Sequence, residues 1–274
     1  MRKLRALINR ITDFGGGISE RRLFVYAASG GYCLFMSLVP FAIVLFSLLP
    51  YTGIESDVII RWIGSYLSSS MGEVVENIVG TIFATGSATL TLGIVLTVFS
   101  ASAAMKAVMR GVNAAYDIEI KQNYFVFTAR AMAYMVVLVI TLVLSVVVLV
   151  YGGKILEKLA VYIPFIGRID GLLTVLRYLF LFLLLTMFFL LLFKWIPGRR
   201  MSYGAQLPGA VFTAAAWLIF SAGYAFYVKI SGQYGAYGFI GTIMVAMLWM
   251  YWCLFFLLLG AYINSRILER KRSN

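Results

Sequence analysis

The chain has 274 residues, 62% of them hydrophobic and 12% charged, with no histidine, and its mean hydropathy is +0.93. Soluble domains carry roughly 25% charged residues, so this composition excludes an ordinary soluble globule and points to a polytopic membrane protein. The two cysteines, Cys33 and Cys253, lie far apart inside apolar runs, which argues against a zinc site or a disulfide framework.

The arm 1–24 is basic, with Arg2, Lys3, Arg5, Arg10, Arg21 and Arg22, and its first residues, MRKLRALINRIT, suit an interfacial helix. The apolar segment 25–50 exceeds the roughly 20 residues that cross a bilayer. It is too long for a signal peptide and lacks a cleavage signature, so it reads as a retained helix. Within it, Ser37 precedes Pro40. A proline in a membrane helix frees a carbonyl and bends the helix, so the pair marks either a structural kink or a hinge. Residues 51–87 alternate apolar and polar groups at helical period, predicting one or two amphipathic extracytoplasmic helices, either scaffold or lid.

The second span, 88–108, runs into SASAAMKAVMRGVNAAYD at 100–117. Spacings of three and four put Ser102, Lys106, Arg110, Asn113 and Asp117 on one helix face. In the plainer reading Lys106 and Arg110 reach to the interface while Asn113 and Asp117 shape a turn. In the sharper one the stripe lines a cleft open to the cytoplasmic leaflet and holds an anionic headgroup, for which arginine offers paired donors.

A third span covers 130–151, followed by a shorter amphipathic stretch at 154–167. The fourth, 172–196, contains Arg177, and the fifth, 208–230, ends near Lys229; both cations lie close enough to an edge to snorkel, though such charges are often functional. Pro208 suits a first helical turn, while Ala205, Gly209 and Thr213 make a face of small residues for close packing. A glycine-rich connection, SGQYGAYGFIG, leads to the sixth span, 239–263; it makes Gly238 and Gly241 candidate hinge positions. The tail 264–274 is basic.

The expected fold is therefore all-α: one domain, 1–274, with six transmembrane helices and amphipathic extracytoplasmic helices. Most Lys and Arg lie in the arm, the second–third and fourth–fifth connections and the tail, which puts both termini in the cytoplasm. The net charge of +12 is then explained by topology and anionic lipid, without nucleic acid as a partner.

Three blocks, TLGIVLTVFSASAAMKAVMRGVNAAYDI at 91–118, KWIPGRRMSYGAQLPGAVFTAAAWLIF at 194–220 and YGAYGFIGTIMVAMLWMYWCLFFLLLGAYIN at 234–264, resemble the YihY/virulence factor BrkB family, and SLVP at 37–40 looks like its first-helix motif. The resemblance implies a bacterial plasma-membrane protein of six helices, from a family once labelled ribonuclease BN and linked in some members to serum resistance or envelope lipids. By resemblance Ser100, Arg110, Asn113, Tyr116, Pro197, Pro208, Gly209, Tyr237, Gly238, Gly241, Gly260 and Asn264 match motif positions. Where many members carry Glu in a GAELN-like ending, this chain has Tyr262.

The expected function is transporter-like, for a lipid, amphiphile or small solute, with membrane lipids as partners. No cofactor, metal or catalytic residue is expected. The alternative is a non-catalytic scaffold or envelope partner subunit, and self-association is open to either. Ribonuclease chemistry usually needs His or clustered carboxylates; here only Asp117 and Glu119 neighbour each other on an internal cytoplasmic loop.

Overall fold

A computed structural model describes residues 12–48, 87–162, 172–199, 201–231 and 238–273. They form seven helices: α1 (12–20), α2 (Leu23–Leu48), α3 (Ser87–Ala115), α4 (Tyr124–Tyr162), α5 (Leu172–Trp195), α6 (Tyr203–Ser231) and α7 (Gly238–Ser273). The chain divides into two compact units, one of Met1–Gly31 with Met105–Asn274 and one of Tyr32–Ala104.

Four helices among the described residues are long and apolar enough to cross a membrane: Tyr124–Thr141 in α4, Tyr178–Trp195 in α5, Tyr203–Ile230 in α6 and Ile243–Lys271 in α7. The secondary structure of the described residues is thus all helical, and the protein is a multi-pass membrane protein. The expected spans 25–50 and 88–108 fall on α2 and α3, where side chains are described only for 23–38 and 96–115. The expected outer helices of 51–87 lie, apart from the start of α3, outside the described residues. Several boundaries differ from expectation, among them the start of α4 at Tyr124 and the end of α7 at Ser273, and two are informative. α4 continues without a break to Tyr162, because nothing in YGGKILEKLAVY forbids helical φ,ψ and the first proline comes at 164. α6 begins at Tyr203, so Pro208 stands in its second turn rather than its first.

In the larger unit, α4 packs on α5, α5 on α6 and α6 on α7. Its core is aromatic: the Phe189 ring meets Trp217 edge-on at 5.0 Å, and Phe220 meets Phe256 at 5.5 Å. Val136, Ile140, Ile219, Phe226 and Met244 are exposed, as suits side chains whose solvent is hydrocarbon rather than water. In the smaller unit, the Ser37 hydroxyl donates to the Leu34 carbonyl at 2.6 Å and Ser102 to Phe99 at 2.7 Å. Both hydroxyls are buried and are satisfied within their own helices.

Candidate functional site

Most of the described basic residues of the larger unit gather at one end, where α3, α5 and α7 finish and α4 and α6 begin. The α3 terminus sets the geometry. Asp117 has φ 54°, its amide donates to Ala114 at 3.1 Å, and the Ile118 amide donates to Asn113 at 3.0 Å. This pair of bonds closes a helix with one left-handed residue, a slot that glycine or asparagine usually fills and aspartate tolerates. Five residues after Ile118, the Asn123 carbonyl accepts the Phe127 amide at 2.9 Å, opening α4 from an asparagine cap.

That short connection brings the cations of α3 against the first-turn rings of α4. Lys106, 9% exposed, holds its ammonium 5.4 Å from the Tyr124 ring centroid, and the exposed Arg110 lies 5.9 Å from that of Phe127. Such contacts orient a cation without cancelling its charge. Arg110 opens onto a cavity of about 420 Å³ walled chiefly by Tyr26, Ile118, Ile120, Tyr124 and Phe127. Among the described residues no carboxylate pairs with Arg110.

The five stripe residues therefore have separate surroundings. Arg110 lines the cavity, and Lys106 lies over one of the cavity's rings. Asn113 is buried and donates to Met109 at 2.7 Å, tied to its own helix. Ser102 lies in the smaller unit, bonded to its own helix as above. Asp117 is past the helix end and lines a different cavity, of about 250 Å³, with Tyr116, Arg199, Ser265 and Glu269. Of the hinge candidates, Ser37 is bonded as above and Pro40 lies within α2 with its side chain outside the described residues. Gly238 starts α7 and Gly241 falls in its first turn. Arg177 lies in α5 with its side chain outside the described residues, and Lys229 is exposed in the last turn of α6.

Two polar clusters were invisible to sequence spacing. In the first, Asn264 bridges the second turn of α6: its Nδ2 donates to the Gln206 carbonyl at 2.9 Å and its Oδ1 accepts the Gly209 amide at 2.7 Å. Pro208 has no amide hydrogen, and the side chain from α7 adds polar contacts to the backbone on either side of it. The Tyr116 hydroxyl donates to Gln206 Oε1, and burial pushes that phenol far above its ordinary range, keeping it a neutral donor. Gly209 and Gly260 face each other so closely that a Cβ on Gly209 would strike the Gly260 carbonyl, and one on Gly260 would strike Thr213. The small-residue face of α6 is thus what lets α7 approach.

The second cluster joins α1 to α7. The Arg21 guanidinium donates to the Ala115 carbonyl at the end of α3, to Ser265 at 2.9 Å and to Glu269 at 2.8 Å. It also lies 5.2 Å from the Tyr262 ring centroid, with Arg266 at 5.8 Å from the same ring. Tyr262, fully buried, offers a ring face to two guanidiniums where a carboxylate would offer charge.

Residues 15–274 match the family described as Virulence factor BrkB. YfkH of Bacillus subtilis (strain 168), a protein named as ribonuclease-like, is 31% identical over 274 residues, spanning 98% of this chain and 96% of its own length. No solved structure matches.

Proposed function

We propose, on the premise that this chain belongs to the virulence factor BrkB family, that it is transporter-like and moves an anionic lipid or related amphiphile through the bacterial plasma membrane. In this reading residues 1–274 form one domain of six transmembrane helices with both termini cytoplasmic, and the basic end faces the inner leaflet. The observation that carries it is Arg110: an arginine without a described carboxylate partner, opening onto a cavity of about 420 Å³ with aromatic and aliphatic walls. A cation set among apolar side chains suits a molecule that has a charged head and an apolar body. A charge-assisted hydrogen bond contributes about 1.5–3 kcal/mol, so one arginine alone changes occupancy by roughly ten- to a hundredfold.

The test is transfer of a fluorescent short-chain anionic phospholipid across liposomes that contain this protein alone. Wild-type protein is expected to accelerate transfer, and Arg110→Gln to slow it about tenfold or more. Transfer no faster than in protein-free liposomes would remove the proposal.

A second reading, a scaffold or partner subunit, draws on a groove of about 400 Å³ along α6 and α7, walled by Phe212, Ala215, Ala216, Ile219, Phe220 and Phe256. Its apolar, small-residue floor suits another helix, from a second copy or an envelope protein. Liposomes holding the protein alone separate the readings, since a scaffold moves nothing.

Nuclease activity, which the name of the Bacillus relative suggests, is not part of the proposal. Asp117 and Glu269 line one cavity, but Glu269 is held by Arg21 at 2.8 Å and Arg266 at 3.4 Å, and Asp117 occupies a helix-ending turn. RNA cleavage by the purified protein that disappears in Asp117→Asn would reverse this assignment.

A further inference from the structure

We infer that this end of the protein carries a second anion-binding site, separate from the Arg110 cavity, which takes the phosphate group of a phospholipid head or of a soluble phosphate. The site is a cavity of about 630 Å³ at the junction of α4, α5 and the connection to α6, and its lining includes Arg130, Lys194 and Arg199 but no carboxylate. Three cations around one space repel each other, and a bound anion relieves that repulsion.

Two of the three cationic heads, those of Arg130 and Lys194, are positioned by neutral groups. Arg130 donates to the Trp195 carbonyl at 2.6 Å and to the Tyr134 hydroxyl at 3.1 Å. Trp195 is the last residue of α5, so its carbonyl lacks an intrahelical partner and Arg130 caps it. Tyr134 donates to the same carbonyl at 3.0 Å. Only one terminal nitrogen of Arg130 is used in these contacts, and a guanidinium has five donor hydrogens. The Lys194 ammonium stands 3.1 Å from the Tyr203 ring centroid, again a contact that fixes the charge without neutralising it.

Arg199 is exposed and follows Pro197 and Gly198 in the connection. It also borders the smaller cavity that contains Asp117 and Glu269. Glu269 is committed to Arg21 and Arg266, and among the described residues Arg199 forms no ion pair. Two guanidiniums with planar donor forks and one ammonium are a donor set matched to phosphate oxygens. Gln122 lines both this cavity and the Arg110 cavity, so the two sites share a wall while their cations are distinct. The inference requires binding only and stands whether or not cargo moves.

The experiment uses the full-length protein in a neutral detergent, titrated separately with inorganic phosphate, dihexanoylphosphatidylglycerol and dihexanoylphosphatidylcholine. Saturable binding of phosphate or of the phosphatidylglycerol is expected to persist in Arg110→Gln protein, which isolates the second site, and to weaken at least tenfold when Lys194→Gln/Arg199→Gln is added. Tighter binding of the phosphatidylglycerol assigns a lipid head, and tighter binding of phosphate assigns a soluble ester. Arg130 is left intact because it caps α5, and an unchanged helical circular dichroism spectrum with Arg199→Lys retaining affinity separates lost charge from lost folding. No saturable binding overturns the inference, as does binding to Arg110→Gln protein that the added pair leaves unchanged. Loss confined to Arg110→Gln overturns it too, while leaving the first cavity standing.

Discussion

Asn264→Ala tests the packing of α6 on α7 most directly. The substitution deletes both ends of one bridge, leaving the Gly209 amide without its 2.7 Å acceptor and the Gln206 carbonyl without its 2.9 Å donor. Both groups are buried, beside a proline that already lacks an amide hydrogen. An unsatisfied buried polar group costs about 1–3 kcal/mol, but hydrogen bonds between membrane helices average about 0.6 kcal/mol because unfolded segments also find partners. Weighing these, the expected loss is about 2–4 kcal/mol, or roughly 30- to 1,000-fold in the unfolding equilibrium. Unfolding in mixed micelles of rising dodecyl sulfate fraction, followed by circular dichroism, measures it. Asn264→Asp retains the acceptor for Gly209 but loses the donor to Gln206, so it tests the two bonds separately. A loss below about 0.5 kcal/mol, less than one average membrane hydrogen bond, would show that the bridge contributes nothing net and refute the reasoning.

Gly260→Ala drives a methyl group into Thr213 and the Gly209 carbonyl; an expected destabilisation of about 1–3 kcal/mol, the usual cost of overpacking, would appear in the same titration. Asp117→Gly relieves the left-handed φ at the end of α3 and should be neutral or stabilising by up to about 1 kcal/mol, an outcome that a catalytic carboxylate would not share in an activity assay. Tyr116→Phe leaves Gln206 Oε1 without its donor and is expected to cost about 1 kcal/mol. Glu269→Gln should cost no more than about 1 kcal/mol, since that side chain is 44% exposed and the pair is screened by solvent.

The helical, membrane-spanning character of the chain was legible residue by residue. Hydropathy over about 20 positions is a local sum, and nothing distant is needed to see that 172–196 or 239–263 is apolar. The small-residue face of Ala205, Gly209 and Thr213 was equally plain, because helical spacing alone aligns it. Helix ends were less so. The periodic pattern carried Asp117 along the polar stripe in one reading and into a turn in the other; the chain does turn there, through a left-handed residue that aspartate only tolerates.

What the sequence by itself determined, then, is which segments prefer hydrocarbon and which side chains share a helix face. Only the tertiary structure decided which of those faces meet. Arg21 reaches Glu269, and Gly209 reaches Gly260, across separations that leave no periodic trace. It also decided that Arg110 lines a cavity while Asn113, three residues on, is spent within its own helix. A cavity is the volume that several packed helices fail to fill, so no single stretch of sequence specifies it.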